Sequence, residues 1–182
     1  MTRAPHTAGT ERRRRSESDR DELWDTMRSV ELRRARSDEV CEIAELWLRS
    51  RAASTPAIPP PVHTPDEVRS WFEEVVLPTR EVWVAELSGA IAALLVLDDE
   101  WIDQLYVEPG LTGHGLGGHL MAVAKRQRPA GLKLWTFEAN VRARRFYERD
   151  SFVATASTNG DNEEGAPDVL YEWEPTPRTA IR

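Results

Sequence analysis

Four glycines within six residues constrain the fold of this chain more than any other feature. An apolar segment ends at Val107, Pro109 interrupts it, and the glycines follow at positions 113, 115, 117 and 118. Glycine lets the backbone turn sharply and approach a ligand closely. From Leu116 to Arg128 the apolar spacing is helical, and the first N–H groups of a helix carry a partial positive charge. The sequence therefore predicts a strand, a phosphate-binding loop and a helix, in that order.

The rest of the chain alternates short apolar strands with amphipathic helices. Helices are predicted after Ser37 and after Thr64, each of which is a favourable N-cap residue. Strands are predicted at 31–35, 81–87, 90–97, 101–107, 132–137, 152–156 and 169–173. Short connections force the second, third and fourth strands to pair antiparallel, whereas a helix separates the fourth and fifth, which must run parallel. We therefore expect an α/β fold with a mixed, mostly antiparallel sheet of about seven strands flanked by helices.

Composition indicates one folded domain with a tail at each end. The chain has 182 residues, of which 40% are hydrophobic, enough for a sizeable core. Residues 1–28 carry few large apolar side chains, so we expect a disordered tail there, a domain at 29–175 and a flexible C-terminus at 176–182. A short amphipathic helix around Leu23, Trp24 and Met27 is the exception expected within the N-terminal tail.

Charge and hydropathy limit the partners and the location of the protein. The net charge of −7 disfavours nucleic acid as a partner. The longest apolar run, 90–97, is too short to cross a bilayer, so we expect a cytoplasmic protein that does not bind membranes. Cys41, the only cysteine, is expected to be an inert packing residue. The sequence leaves open whether the protein forms a homodimer.

The glycine-rich stretch resembles motif A of the GNAT superfamily of acyl-CoA-dependent N-acyltransferases. That motif is a strand ending in V-x-P followed by [Q/R]-x-x-G-x-G/A, and here it stands as Val107-Glu-Pro109 and Thr112-Gly-His-Gly115-Leu-Gly117. The resemblance implies that the fourth and fifth strands splay apart and that acetyl-CoA, as cosubstrate, inserts between them. It also implies that the fourth strand and the loop hold the cofactor, through Leu105, Tyr106, Val107, Thr112, Gly113, His114, Gly115, Leu116, Gly117 and Gly118. Thr112 departs from the pattern, which has a long Gln or Arg side chain there.

A second segment, 137–152, is similar to the N-x-x-A-x-x-[FL]-Y-E-x-x-G-F signature of the same family. Asn140 is a favourable N-cap, and its seven-residue spacing from Tyr147 places both residues on one helical face. The resemblance implies that Asn140 bonds the cofactor arm and that Tyr147, near the thioester sulfur, is the general acid. Ser151 replaces the usual glycine, which predicts a different turn into the next strand. Three arginines of this helix could meet the adenosine 3′-phosphate, and a positively charged outer helix face explains them equally well: Arg142, Arg144 and Arg145.

The residues do not identify the general base unambiguously. Some family members carry a glutamate on the fifth strand five residues before the asparagine, and Trp135 stands there in this chain. Asp103 is the first choice, because strand alternation places it on the same face as Leu105. A solvated or ion-paired carboxylate explains Asp103 equally well. The alternative bases are Asp99, Glu100 and Glu138.

The sequence fits two other kinds of ligand site less well. The spacing Gly113-x-Gly115-x-x-Gly118 also satisfies a dinucleotide fingerprint, but a dinucleotide loop follows its strand almost immediately and usually opens the domain. Here Pro109 intervenes and over a hundred residues precede the loop. His114 and His119 have no third ligand at a useful spacing, so no metal site is expected.

The sequence thus predicts an N-acetyltransferase that moves an acetyl group from acetyl-CoA to a primary amine of a small molecule or peptide by direct attack. The alternative is a non-catalytic acyl-CoA-binding or regulatory module. Tyr147 favours the enzyme, whereas Thr112 and Trp135 keep the alternative open.

Overall fold

The fold is seen in a computed structural model that describes residues 30–175. One seven-stranded sheet runs through it in the order β1-β2-β3-β4-β5-β7-β6. The strands are β1 (Glu31–Arg34), β2 (Glu81–Leu87), β3 (Ala90–Asp98), β4 (Trp101–Val107), β5 (Leu132–Phe137), β6 (Val153–Thr158) and β7 (Asp168–Trp173). Only the β4–β5 pair is parallel, which confirms the predicted mixed sheet. The predicted tails, including the helix around Trp24, lie outside the described residues.

Four helices flank the sheet: α1 (Val40–Ala53), α2 (Pro65–Trp71), α3 (Leu116–Gln127) and α4 (Val141–Arg149). The start of α2 follows the sequence, because Thr64 and Glu67 cap each other reciprocally and Pro65 occupies the first turn. α2 then continues as a π-helical turn, Phe72–Val76, and a last short turn, Leu77–Thr79. Ser37 does not cap α1, contrary to expectation. A 3₁₀ turn, Ser37–Glu39, precedes that helix, and the Glu39 carboxylate accepts from the Arg36 N–H at 2.8 Å.

The core consists of two apolar layers, one on each face of the sheet. One layer joins α3 to the sheet through residues such as Leu95, Ile102 and Leu120. The other joins α1 and α2 to the sheet through residues such as Ile43, Phe72 and Leu94. Strand β3 contributes to both layers, which explains its near-continuous apolar sequence. Cys41, expected to pack in this core, is exposed instead.

A gap opens between β4 and β5 in the middle of the sheet. The two strands share one register position, Trp101 opposite Lys133, where the Lys133 N–H donates to the Glu100 carbonyl at 2.9 Å. Beyond that point the strands diverge, which confirms the splayed strands that the family resemblance implied.

Main-chain groups border the gap on both sides. The Glu108 N–H donates to the Ala92 carbonyl at 2.8 Å, which makes that antiparallel pair a hydrogen-bonded one. Because such pairs alternate along a ladder, the peptide groups of Leu105 and Val107 point away from β3 and into the gap. The bond from Glu138 to Pro167, 2.9 Å, fixes the β5–β7 ladder in the same way and turns the peptide groups of Trp135 and Phe137 toward the gap.

The turn after α4 keeps a glycine-like shape although it holds a serine. Ser151 has a φ of 68°, in the left-handed region that favours glycine. The expectation of a different turn at this residue is therefore wrong. The serine adopts the conformation that a glycine would adopt more easily.

No helix among residues 30–175 is both long and apolar enough to cross a membrane. The cytoplasmic location stays a prediction.

Candidate active site

The glycine loop forms an anion cradle at the end of β4. Gly113 and Gly115 have φ angles of 89° and 92°, a conformation that other residues adopt only with strain. Gly115 is the N-cap of α3, and its carbonyl accepts the first helical bond, from the His119 N–H at 3.0 Å. The N–H groups of the first helical turn, at 116–118, have no acceptor inside the helix. They are available to a phosphate group at an exposed helix N-terminus.

The last two loop glycines have different surroundings. A Cβ at Gly117 would lie 3.5 Å from the Phe146 ring and 3.8 Å from the Val107 side chain, so Gly117 allows α3 to pack closely against α4. A Cβ at Gly118 would meet nothing within 4 Å. A side chain at position 118 would therefore project into open space.

Arg142, one of the three arginines considered for the adenosine 3′-phosphate, lies beside the loop. A Cβ at Gly113 would come within 3.8 Å of the Arg142 guanidinium. Arg144 lies elsewhere, because it donates to the Tyr171 hydroxyl at 3.2 Å and to the Glu138 carbonyl at 3.3 Å. Of these two arginines, the structure brings only Arg142 to the glycine loop.

Thr112 stabilises the loop in a different way from the long side chain of the family pattern. Its hydroxyl donates to the Pro109 carbonyl at 3.0 Å and closes the 3₁₀ turn Pro109–Leu111. His114 is exposed, whereas the Leu116 side chain is buried, so Leu116 offers a ligand only its main chain.

The three predicted cofactor residues of β4 are not equivalent. Leu105 and Val107 direct their peptide groups away from β3 and into the gap, and the Val107 carbonyl already accepts from the Ser50 hydroxyl of α1 at 2.9 Å. Tyr106 does not, since its peptide group belongs to the hydrogen-bonded pair with Leu94 in the β3–β4 ladder. Its ring lies on the α1 face, 5.9 Å from the Trp47 ring, and burial raises the pKa of Tyr106 to about 12. Main-chain pairing with a ligand therefore falls to Leu105 and Val107.

Asn140 and Tyr147 are held on α4 as their spacing predicts. The Asn140 Oδ1 accepts from the Ala143 N–H at 3.1 Å and caps the helix, so this oxygen is already in use. Tyr147 is 8% exposed and packs between Phe146 and Phe152, with ring centroids at 5.3 and 5.8 Å. Burial raises the pKa of Tyr147 above its ordinary value, and the nearby Tyr106 adds to the effect. The phenol therefore stays protonated at neutral pH, as a general acid must.

Asp103 does not share a face with Leu105, and that part of the prediction is wrong. A β-bulge shifts the register between β3 and β4, so Val96 pairs with Gln104, Leu97 pairs with Ile102, and Asp103 is the unpaired extra residue. Leu105 packs in the α3 layer.

The Asp103 carboxylate is instead in close contact with the Arg80 guanidinium, which lies 5.6 Å over the Trp71 ring beside α1 and α2. It also accepts from the Gln104 amide at 3.4 Å. Burial raises the pKa of Asp103, although the Arg80 charge opposes the shift. A raised pKa suits a proton acceptor, whereas the ion pair limits its freedom.

Sequence reasoning missed a buried ion pair on the α1 side of the gap. The Arg51 guanidinium lies 4.9 Å over the Trp47 ring and 5.9 Å from the Phe137 ring, and its Nη2 contacts the Glu164 carboxylate at 2.6 Å. A signal was available: Arg51 follows Trp47 by four residues and therefore lies on the buried face of α1. Glu164 comes from the β6–β7 loop (residues 159–167), and no local pattern links the two residues.

Comparisons with known proteins agree with this geometry. A sequence profile of the acetyltransferase (GNAT) domain matches residues 78–154, which include the glycine loop and α4. The chain belongs to the GNAT superfamily. Among its curated relatives, it is similar to the peptidyl-lysine N-acetyltransferase YjaB of Salmonella typhimurium, with 28% identity over 137 residues that cover 73% of this chain and 90% of that protein.

Solved structures share the fold. The solution structure of apo YjaB from Escherichia coli matches with a TM-score of 0.66 and 23% identity, covering 81% of this chain and 99% of the other. The structure of yncA, a putative acetyltransferase from Salmonella typhimurium solved with its cofactor acetyl-CoA, matches with a TM-score of 0.63 and 19% identity, covering 85% and 98%. The GNAT sheet with its central gap is therefore the architecture of this protein.

Proposed function

We propose that this GNAT enzyme transfers the acetyl group of acetyl-CoA to a primary amine by direct attack, without an acetylated enzyme. The observation that carries the proposal is the gap between β4 and β5. Peptide groups free of the sheet ladders line it, the glycine cradle lies at one end of it, and Tyr147 belongs to the helix beside it. An extended ligand with a phosphate group at one end and a thioester at the other fits these features.

The cofactor site rests on main-chain donors. The amides at 116–118 would hold the pyrophosphate of acetyl-CoA, with Gly113 and Gly115 shaping the loop. Arg142 stands beside that loop and would meet a further phosphate. The peptide groups of Leu105 and Val107 would pair with the pantetheine arm and the acetyl carbonyl, where negative charge develops during attack.

The reaction needs a neutral amine and a proton for the leaving group. For an amine with a pKa near 10.4, neutrality at pH 7 costs about 4 to 5 kcal/mol. As the amine nitrogen bonds to the acetyl carbon, the carbon–sulfur bond breaks and Tyr147 donates its proton to the departing sulfur. The nitrogen releases a proton to a base, and the phenolate then recovers one from solvent. We propose Asp103 as that base, supported by its raised pKa and by its place on β4, the strand that borders the gap.

The acceptor is proposed as an amine on a peptide or small molecule. The relative YjaB is named as a peptidyl-lysine N-acetyltransferase, which supports a lysine-like amine. The α1 side of the gap, with Trp47, Tyr106 and Arg51, is where such an acceptor would meet the thioester.

Thiol release from acetyl-CoA, measured with a panel of amines and a lysine peptide, tests the proposal. We expect an N-acetylated product, identified by mass, and intersecting initial-velocity lines. Binding of acetyl-CoA with no transfer to any amine would favour a non-catalytic module. An isolable acetyl-enzyme would exclude direct attack, and NADH binding without coenzyme A binding would support a dinucleotide site.

A further inference from the structure

Arg51 carries an unsatisfied hydrogen-bond donor beside the proposed acceptor site. The residue is 8% exposed, and its Nε is the one buried side-chain nitrogen or oxygen that lacks a partner among residues 30–175. Buried polar groups are nearly always paired, and an unpaired donor costs about 1–3 kcal/mol. Such an atom calls for a partner that a bound ligand can supply.

The guanidinium itself is firmly positioned. Its Nη2 donates to the Pro59 carbonyl at 3.0 Å, and its plane is held over the Trp47 and Phe137 rings. Tyr106, which lies between Leu105 and Val107 on β4, is close enough to Arg51 for the guanidinium charge to oppose the rise in the pKa of its phenol. The Tyr106 side chain therefore lies between Arg51 and the edge of β4 where the thioester is proposed to bind.

The anionic partner of Arg51 is less firmly held. Glu164 belongs to the β6–β7 loop, and one of its oxygens contacts Nη2 alone, at 2.6 Å. A carboxylate that approached the guanidinium side-on would bond both Nε and Nη2, the stronger bidentate arrangement. Glu164 thus occupies the position of a carboxylate partner but leaves the Nε of Arg51 without a hydrogen bond. Movement of the β6–β7 loop at the surface can withdraw the Glu164 side chain.

Space for a small ligand adjoins this position. A cavity of about 390 Å³ is lined by Pro59 and Phe137, both in contact with Arg51, and by Ala166 and Pro167 of the same loop. Its charged wall consists of Arg144 and Glu138, and Arg144 is already bonded to Tyr171 and to the Glu138 carbonyl. The volume suits a molecule of amino-acid size.

We propose that the acceptor is a small primary amine that also carries a carboxylate, which displaces Glu164 and binds the Nε and Nη2 of Arg51. This inference rests on the proposed acetyl transfer and narrows its acceptor class. The bound carboxylate would orient the amine toward the acetyl group, and release of Glu164 would free the β6–β7 loop.

Matched amines that differ in one carboxylate test the proposal. We compare kcat/KM for lysine against cadaverine and for 4-aminobutyrate against propylamine, at saturating acetyl-CoA. In the wild-type enzyme we expect the carboxylated member of at least one pair to be preferred by tenfold or more. Decarboxylated amines that equal or exceed their partners in both pairs, or a lysine peptide without a free carboxylate that exceeds them all, would overturn the proposal.

Substitutions at two positions must then change this preference in opposite directions. Arg51→Met should reduce the ratio of kcat/KM for the carboxylated amine to kcat/KM for its decarboxylated partner to near one. Arg51→Lys keeps the positive charge but cannot donate two parallel hydrogen bonds, so it should give an intermediate ratio. Glu164→Gln removes the competing carboxylate and should lower KM for the carboxylated amine several-fold. If Glu164 instead binds a cationic acceptor, Glu164→Gln would raise KM for cadaverine, and the proposal would fail.

The design separates this proposal from the more general one. Acetyl-CoA affinity within about threefold of the wild-type value shows that each variant is folded. If no amine is acetylated, acetyl transfer fails, and carboxylate binding is then measured by titrating lysine and cadaverine into coenzyme A-saturated protein. Preferential binding of lysine that Arg51→Met abolishes would still support the carboxylate site, and equal binding of the two would refute it.

Discussion

The two sides of the β4–β5 gap present different chemical groups, main-chain amides on one side and side chains on the other. On the α3 side, the site consists of main-chain amides, two left-handed glycines and an apolar layer that includes Leu116 and Leu120. On the α1 side, it consists of charged and aromatic side chains, with Arg80 against Asp103 and Arg51 against Glu164. A backbone site is suited to a group common to all reactions of a family, whereas a side-chain site can change with the acceptor.

This difference also determines how each side should respond to substitution. Main-chain donors cannot be removed by changing a side chain, so the α3 side must be disturbed by adding charge or bulk. The α1 side loses its chemistry as soon as a single functional group is deleted.

Gly118→Asp should produce the largest change. The space around a Cβ at this position is open, so the side chain fits. A carboxylate in the first turn of α3 is also stabilised by the helix dipole. The same charge would repel the pyrophosphate at the cradle, and we expect acetyl-CoA affinity to fall by roughly 100-fold, about 2.7 kcal/mol. Calorimetry and thermal melting measure both effects.

Gly118→Ala is the matched control for that substitution. It adds the Cβ without the charge and should keep acetyl-CoA affinity within a few-fold, with a slightly higher melting temperature. Equal affinity for acetyl-CoA in the Asp and Ala variants would place the phosphate elsewhere.

Tyr147→Phe should lower turnover by at least tenfold while acetyl-CoA affinity changes less than about threefold. The ring packing is kept and only the proton donor is lost, a contribution of typically about 10² to 10⁴ in rate. Tyr171→Phe is the control, because it also removes a buried tyrosine hydroxyl. That hydroxyl donates to the Glu148 carboxylate of α4 at 2.8 Å and has no proposed part in the reaction. Wild-type turnover in Tyr147→Phe, under conditions where chemistry limits the rate, would leave solvent as the proton source.

Asp103→Asn should lower kcat/KM by about tenfold and remove the limb of the pH profile that rises with pH. Asp103 accepts a proton only when ionised, and its pKa lies above the ordinary aspartate value because it is buried. Arg80→Met is the sharper variant. It removes the positive charge that lowers this pKa, so the rising limb should shift to higher pH. A limb that does not move in either variant would assign the base to another group.

Glu39→Gln should lower stability and have the smallest effect on catalysis. The Arg33 guanidinium contacts Glu39 at 2.6 Å, and this hydrogen bond lowers the pKa of Glu39 from 4.5 to about 2. A lowered pKa means that the stabilisation is present above about pH 4.5 and is lost as the pH falls toward 2. We expect the free energy of unfolding to fall by about 1 to 3 kcal/mol at pH 7.

The difference between wild type and Glu39→Gln should shrink steadily below pH 4.5 in denaturant titrations. Glu74→Gln is the control, because Glu74 is exposed and forms no ion pair among residues 30–175. A constant difference across the pH range would show that the charge of Glu39 is not what stabilises this end of the sheet.

The same contrast explains what the sequence could predict. Strand alternation, glycine spacing and the Thr64 cap are local patterns, and they specified the sheet, the loop and α2. The face of Asp103 was missed because one bulge residue reverses the alternation on which the inference depended. The Arg51–Glu164 pair joins residues 113 positions apart, and only the folded chain brings them together. Ser37 failed as a cap because a 3₁₀ turn replaced the first helical turn expected after it.

The left-handed conformation of the serine after α4 lowers the stability of the fold, and a substitution can recover part of that loss. Ser151 adopts a backbone conformation that costs a residue with a Cβ roughly 1 to 2 kcal/mol. Glycine would remove that cost while gaining freedom in the unfolded chain, so Ser151→Gly should stabilise the fold by a net fraction of it. Ser151→Gly therefore offers a more stable background in which substitutions such as Arg51→Met can be purified and assayed.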